Sequence, residues 1–382
     1  MARFLFFTWD GAGNQPPAVA IAQALTERGH AVTVAGYENQ AGYFTSRGIR
    51  FVLLQRSAAA WRDAGADPMF DLKLRSVWAS IDHLHDVPTL ISRERCDALV
   101  MDCLMFGVLA AAEQAGVPAV TLVHSAPGAL MPPKGQFESL LLAPVNAMRV
   151  QAGVPAVERL WDAWARFPAY SNSIRQLDPL AEQALASFCY VGPFAERVPP
   201  SGWTSPWSPD DRRPLVLMSF STGPYWDQGS RIQRSLQALS RCNCRVLVTA
   251  GPANIAPDTI PDNASIVARV PHDEVLPNVA VTITHAGHGT VTASLKHGVP
   301  LLSLPNPVAD QPILAAQVEA LGAGRVLDGE RATPAEIGAA IGQLLADPSY
   351  AANARLLAHE LSRAAGVSTV IARLEQLAKG RH

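Results

Sequence analysis

The chain has 382 residues, 48% hydrophobic and 17% charged, with a formal net charge of -2. That length exceeds what one hydrophobic core serves and calls for two domains. The near-neutral balance excludes the electrostatic footprint of a nucleic-acid binder and the basic run of a membrane-surface protein, and no stretch reaches the ~20 apolar residues of a membrane span.

Arg3 to Thr8 is a short apolar run stopped by turn residues, so it predicts a strand buried on both faces. It is too short for a signal-peptide core. GAGNQPP follows, with Pro16 and Pro17 suited to a helix's first turn and Gly29 to its left-handed end. The same grammar returns at AVTVAG from Ala31, IRFVLL from Ile49, ALVM from Ala98 and PAVTLV from Pro118. Strands alternating with helices predict a parallel sheet covered on both faces. From Ser125 to Leu180 the chain is rich in Pro, Trp and Met without strand periodicity, and includes Trp161, Trp164, Phe167 and Tyr170. Such an insertion most often packs on its own domain, and otherwise lines a cleft for a large apolar ligand.

PPSGWTSPWSPDDRRP, residues 199–214, cannot hold a helix or ladder strand and reads as a linker. The strand pattern then restarts with LVLMSF at Leu215, RVLVTAG at Arg245, SIVARV at Ser265, VTIT at Val281, LLSL at Leu301 and GRVL at Gly324. The expectation is an α/β protein with Rossmann-like domains over residues 1–198 and 215–382. Five cysteines, Cys96, Cys103, Cys189, Cys242 and Cys244, are an odd number. That argues against a disulfide framework and for a reducing, cytoplasmic setting. Cys242 and Cys244 lack the second pair of a zinc site.

The sharpest motif is THAGHGTVTASLKHGVP, directly after VTIT. Gly287 and Gly289 open a helix running through Thr290 to Lys296, and N–H groups at such a start bind anions, with the dipole adding ~0.3–1 kcal/mol. A single histidine beside a turn is ordinarily satisfied by backbone. Two of them, His285 and His288, at one glycine turn point to a phosphate.

The segment VPHDEVLPNVAVTITHAGHGTVTASLKHGVPLLSLPNPVADQPILAAQVEALGAG resembles the nucleotide-sugar motif of the two-domain GT-B glycosyltransferases that decorate antibiotics and other natural products. The likeness runs from about Leu215 to Gly324, and less densely over the N-terminal half. It implies two Rossmann-like domains facing across a cleft, with the acceptor in the first and the nucleotide sugar in the second. It further implies metal-independent, inverting transfer of a sugar, a deoxysugar by preference, from a dTDP- or UDP-activated donor to an apolar aglycone. The donor is a substrate and no cofactor is implied; a homodimer stays open. By resemblance, His285 contacts the α-phosphate and the Gly289–Thr290 turn the β-phosphate. Val270 and Pro271 meet the nucleobase, Asp310 and Gln311 grip sugar hydroxyls, and Ser221 and Thr222 lie near the diphosphate. The final helix, around Ser368 to Lys379, returns to the first domain.

In that family the first turn commonly carries Gly-His-x-x-Pro, whose histidine removes the acceptor's proton; here the position is Asn14. An amide cannot be the base, and a positioned base typically contributes ~10²–10⁴ in rate. Asp102, ending ALVMD, matches the aspartate that orients the family's histidine. Three residues could take the proton: Asp102 itself, Asp10 on the same turn, or His124 after PAVTLV, which titrates nearest neutrality. Alternatively the acceptor is an amine, a thiol or an acidic phenol that Asn14 orients, or Asn14 merely serves a left-handed turn. Two other classes fit the fold: a nucleotide-sugar epimerase, and a silent activator of a partner transferase. A dinucleotide at GAGNQPP is disfavoured, since the third glycine of that fingerprint is missing and Glu38 is a loose match for the ribose carboxylate.

Overall fold

The computed structural model describes residues 1–63, 69–194, 196–220, 228–251, 253–307 and 310–380. The apolar runs become strands: β1 (Arg3–Phe7), β2 (Ala31–Gly36), β3 (Arg50–Leu53), β4 (Ala98–Asp102) and β5 (Ala119–Val123). Two more, β6 (Ala169–Ser171) and β7 (Phe188–Tyr190), complete a wholly parallel sheet in the order β3-β2-β1-β4-β5-β6-β7. The second sheet has β8 (Leu215–Ser219), β9 (Arg245–Thr249), β10 (Ala264–Val267), β11 (Val279–Thr284), β12 (Leu301–Ser303) and β13 (Gly324–Val326). Its order is β10-β9-β8-β11-β12-β13, again all parallel.

Both orders reverse direction beside the first strand, between β1 and β4 and between β8 and β11. In doubly wound sheets such a switch point leaves a crevice beyond the strands' carboxyl ends, where ligands bind. The turn after β1 and Asp102 at the end of β4 flank the first; Ser219 and His285 flank the second.

Contacts divide the chain into two units. The first holds residues up to Arg175, Leu180–Arg197 and the segment from Ala365; the second holds Gln176–Pro179 and Val198–Ala364. In the first unit, one face of the sheet is covered by the helix Gln15–Glu27 together with the last helix, Val367–Lys379, through Val370, Ile371, Leu374 and Ala378. Glu375 ties the two ends of the chain, accepting from Arg28 Nε at 2.7 Å and lying 3.0 Å from His30 Nε2. Residues 199–214, read as a linker, group with the second unit, where Trp203 and Trp207 pack on Leu215, Leu217 and Leu247. No helix among the described residues is long and apolar enough to cross a membrane.

The 125–180 segment differs from its cleft-lining alternative. Trp161 and Trp164 are fully buried, and they pack against Phe188 and, for Trp164, Phe106. Both indoles donate to backbone, Trp161 to Met131 O and Trp164 to Cys103 O, each at 2.7 Å. The helix Gln136–Gln151 crosses the same core through Leu141, Val145 and Met148. These tryptophans are core, so they carry no information about an acceptor.

Candidate functional site

In the first unit, one carboxylate collects four donors. Asp102 Oδ1 accepts from Trp9 Nε1 at 3.2 Å and from Leu104 N at 2.9 Å. Its Oδ2 accepts from Asn14 Nδ2 at 3.0 Å and lies 3.1 Å from His124 Nδ1. Burial pushes the Asp102 carboxyl up, but His124, Leu104 N and Asn14 together outweigh it and hold the group below the ordinary carboxylate range. An ionised carboxylate only accepts, so Nδ1 of His124 carries the proton and Nε2 is the basic nitrogen.

Asn14 caps the helix Gln15–Glu27 in position only. Its φ is -86°, and its side chain makes no capping bond to that helix. Instead Nδ2 also donates to Trp9 O at 2.9 Å and Thr8 Oγ1 at 3.2 Å, while Oδ1 accepts from Gly11 N at 3.2 Å. The left-handed residue of the turn is Ala12, at φ 59°. Asn14 therefore does not serve left-handed geometry. With 1% exposure it also lacks the surface to hold an acceptor. Asp10 is pinned by two amides, from Gln15 and Asn39.

Asp102, Cys103 and His124 offer one ligand atom each within 4.8 Å of one another. Burial, and then Asp102, push the Cys103 thiol well up, so it stays protonated. A metal there would have to displace that proton and the donors already on Asp102.

In the second unit, the turn after β11 is built around His285. Ala286 takes φ 63°, and Gly287 precedes the helix His288–Lys296. A Cβ on Gly287 would sit 2.5 Å from His285 Nε2, so glycine is what lets the imidazole lie against the turn. Gly289 is exposed and Thr290 half-buried at the helix start. His285 is pushed down to about 4 by burial and then by the Arg231 guanidinium. It is neutral at physiological pH and meets an anion as a hydrogen-bond partner rather than as a cation.

Around it stand Arg231, 4% exposed, and the wholly buried Asn306, which accepts from Arg231. Asn306 N donates to Gln311 Oε1 at 3.1 Å, so one face of the Gln311 amide is already committed. Asp310 precedes the helix Gln311–Ala320 and is half-buried. Val270 is buried, and Pro271 starts the short helix His272–Val275. Ser221 and Thr222 lie outside the described residues. Sequence reasoning missed Trp9, Arg231 and Asn306, because one Trp, Arg or Asn has no spacing signature; only a buried polar position marks them.

His83 of the first unit is also pushed down to about 4 by burial. The unfolded chain binds these protons near 6.5, so folding stability is complete above that pH and falls as pH drops toward 4. Up to about 3 kcal/mol each, on the basis of ~1.4 kcal/mol per pH unit, is expected to disappear in that window. Melting temperatures measured from pH 7 down to pH 4.5 check it; a flat profile would contradict the burial of both rings.

Residues 233–377 match the family described as erythromycin biosynthesis protein CIII-like, C-terminal domain. The chain is 26% identical to 4'-demethylrebeccamycin synthase of Lentzea aerocolonigenes over 98% of its length and 99% of that protein's. The chain is a GT-B glycosyltransferase. Over 45% of its length and 40% of the relative, it is 31% identical to erythronolide mycarosyltransferase of Saccharopolyspora erythraea. Among solved structures, the calicheamicin glycosyltransferase CalG4 superposes with a TM-score of 0.79 at 21% identity, covering 100% of this chain and 99% of that one. The glycosyltransferase VinC, solved in complex with dTDP, gives 0.69 at 19% identity over 99% and 100%. The transferase's two sheets are thus the two Rossmann-like halves of a known architecture.

Proposed function

We propose that this transferase moves a sugar from a dTDP-activated donor to a natural-product aglycone, with the donor held by the second unit and the acceptor by the first. The observation that carries the reading is the His285–Thr290 turn: a neutral imidazole, a left-handed alanine and a helix start are gathered at a sheet switch point. dTDP is favoured over UDP because a structural neighbour was solved with dTDP. In this reading Val270 and Pro271 meet the base, and His285, Gly287, His288, Gly289 and Thr290 hold the diphosphate. Asp310 and Gln311 hold the sugar.

The anomeric carbon becomes oxocarbenium-like while negative charge gathers on the departing diphosphate. Preorganised N–H donors at the helix start favour that charge where it develops. Inversion by single displacement is supported by the state of the first unit's carboxylates: Asp102 is occupied by four donors and Asp10 by two amides, so neither is placed to form a glycosyl ester. The silent-activator reading drew on Asn14 alone, and an imidazole at Asp102 removes that ground.

A thermal-shift panel tests the donor. dTDP is expected to raise the melting temperature more than UDP, and NAD to leave it unchanged. At a hundredfold excess over Kd the stabilisation is about 2.7 kcal/mol. Stabilisation by NAD, or by no nucleotide, would overturn the reading.

A further inference from the structure

We infer that the proton-accepting imidazole of this enzyme stands just past the carboxyl end of β5 rather than at the start of the first helix: His124, held through Nδ1 by Asp102, is the base, and Asn14 is a positioning residue that aims the carboxylate. The inference rests on the transfer reading above and specifies its chemistry. Four observations carry it. Asp102 has donors on both oxygens, so it holds a proton carrier instead of being one. Asn14 and His124 meet the same oxygen, Oδ2, from opposite sequence directions. Asn14 spends its amide on Trp9 O, Thr8 Oγ1 and Gly11 N, which fixes the angle at which it meets the carboxylate. Within this hub, the Asp102 side chain is 2% exposed and the His124 side chain 12%, so the imidazole is the member with surface toward solvent.

The step balances. The acceptor's O–H proton passes to His124 Nε2 as its oxygen forms the bond to the anomeric carbon. The bond from that carbon to the diphosphate oxygen breaks, and the nucleoside diphosphate leaves with the electron pair. The resulting imidazolium is stabilised by Asp102, and the proton passes to water.

Two measurements test this. The first needs no acceptor: in ¹⁵N-histidine-labelled protein near pH 8, His124 is expected as the Nδ1–H tautomer, and an Nε2–H tautomer would overturn the inference. The second uses dTDP-glucose with two probe acceptors, a simple phenol and a thiophenol already ionised at the assay pH. His124→Gln is expected to slow transfer to the phenol about 10²–10³-fold and to the thiophenol less than about fivefold, with stabilisation by dTDP unchanged. Equal losses for both acceptors would assign His124 a structural role and sink the proposal. Asn14→His is expected to lower phenol transfer, because a second imidazole competes for Oδ2; a gain over the parent would put the base at position 14. If dTDP binds and the parent transfers to neither probe, the transfer reading fails while the tautomer still decides the pairing.

Discussion

Asp102→Ala is expected to destabilise the protein by about 3–5 kcal/mol and to slow transfer about 10²–10⁴-fold, while leaving dTDP binding intact. The carboxylate is the acceptor for Trp9 Nε1, Asn14 Nδ2, Leu104 N and His124 Nδ1, and all but His124 are buried. Alanine leaves these donors facing a cavity, and each unsatisfied buried donor costs about 1–3 kcal/mol, less than additively. The rate falls separately, because His124 loses the group that fixes its tautomer and stabilises its charged form. Urea titration and steady-state kinetics on one preparation would separate the two effects. A stability loss under about 1 kcal/mol would show that water reaches the hub and that Asp102 is not its organising group.

Trp164→Ala is expected to cost about 3–5 kcal/mol, the usual range for truncating a fully buried aromatic side chain. The ring lies parallel to Phe106 at 6.4 Å and tilted on Phe188 at 6.1 Å, and Nε1 satisfies the Cys103 carbonyl. Cys103 follows Asp102, so removing the indole also loosens the strand end that presents the carboxylate. The variant should therefore lose activity beyond its loss of folded fraction, visible as a lower kcat on protein shown by urea titration to be folded. An unchanged denaturation midpoint would mean that the 125–180 segment is separable from the first unit's core.

Trp164 also marks where reading the chain reaches its limit. The longer strands were legible because a strand covered on both faces must be a continuous apolar run, as in β1, β4 and β8, whereas β6 and β7 have three residues each and cannot display a period. Tryptophans in an irregular, Pro-rich stretch are compatible with a ligand wall and with a core, and composition does not separate the two. The donor turn was legible for the opposite reason: a glycine beside a histidine at the end of a strand is a local feature, and the clash a Cβ would make at Gly287 involves a residue only two positions away.

Taken alone, the amino-acid order determined the β/α alternation, the two Rossmann-like halves, the glycine–histidine turn and the presence of a carboxylate at the end of β4, because each is encoded within a few neighbouring residues. Only the tertiary structure decided which side chains meet that carboxylate. Asn14 is 88 positions from Asp102 and His124 is 22, yet both reach Oδ2. What joins them is strand order: β1 and β5 both pair with β4, so three carboxyl ends stand side by side, and hydrogen bonds at 3 Å depend on directions that no periodicity in the chain records.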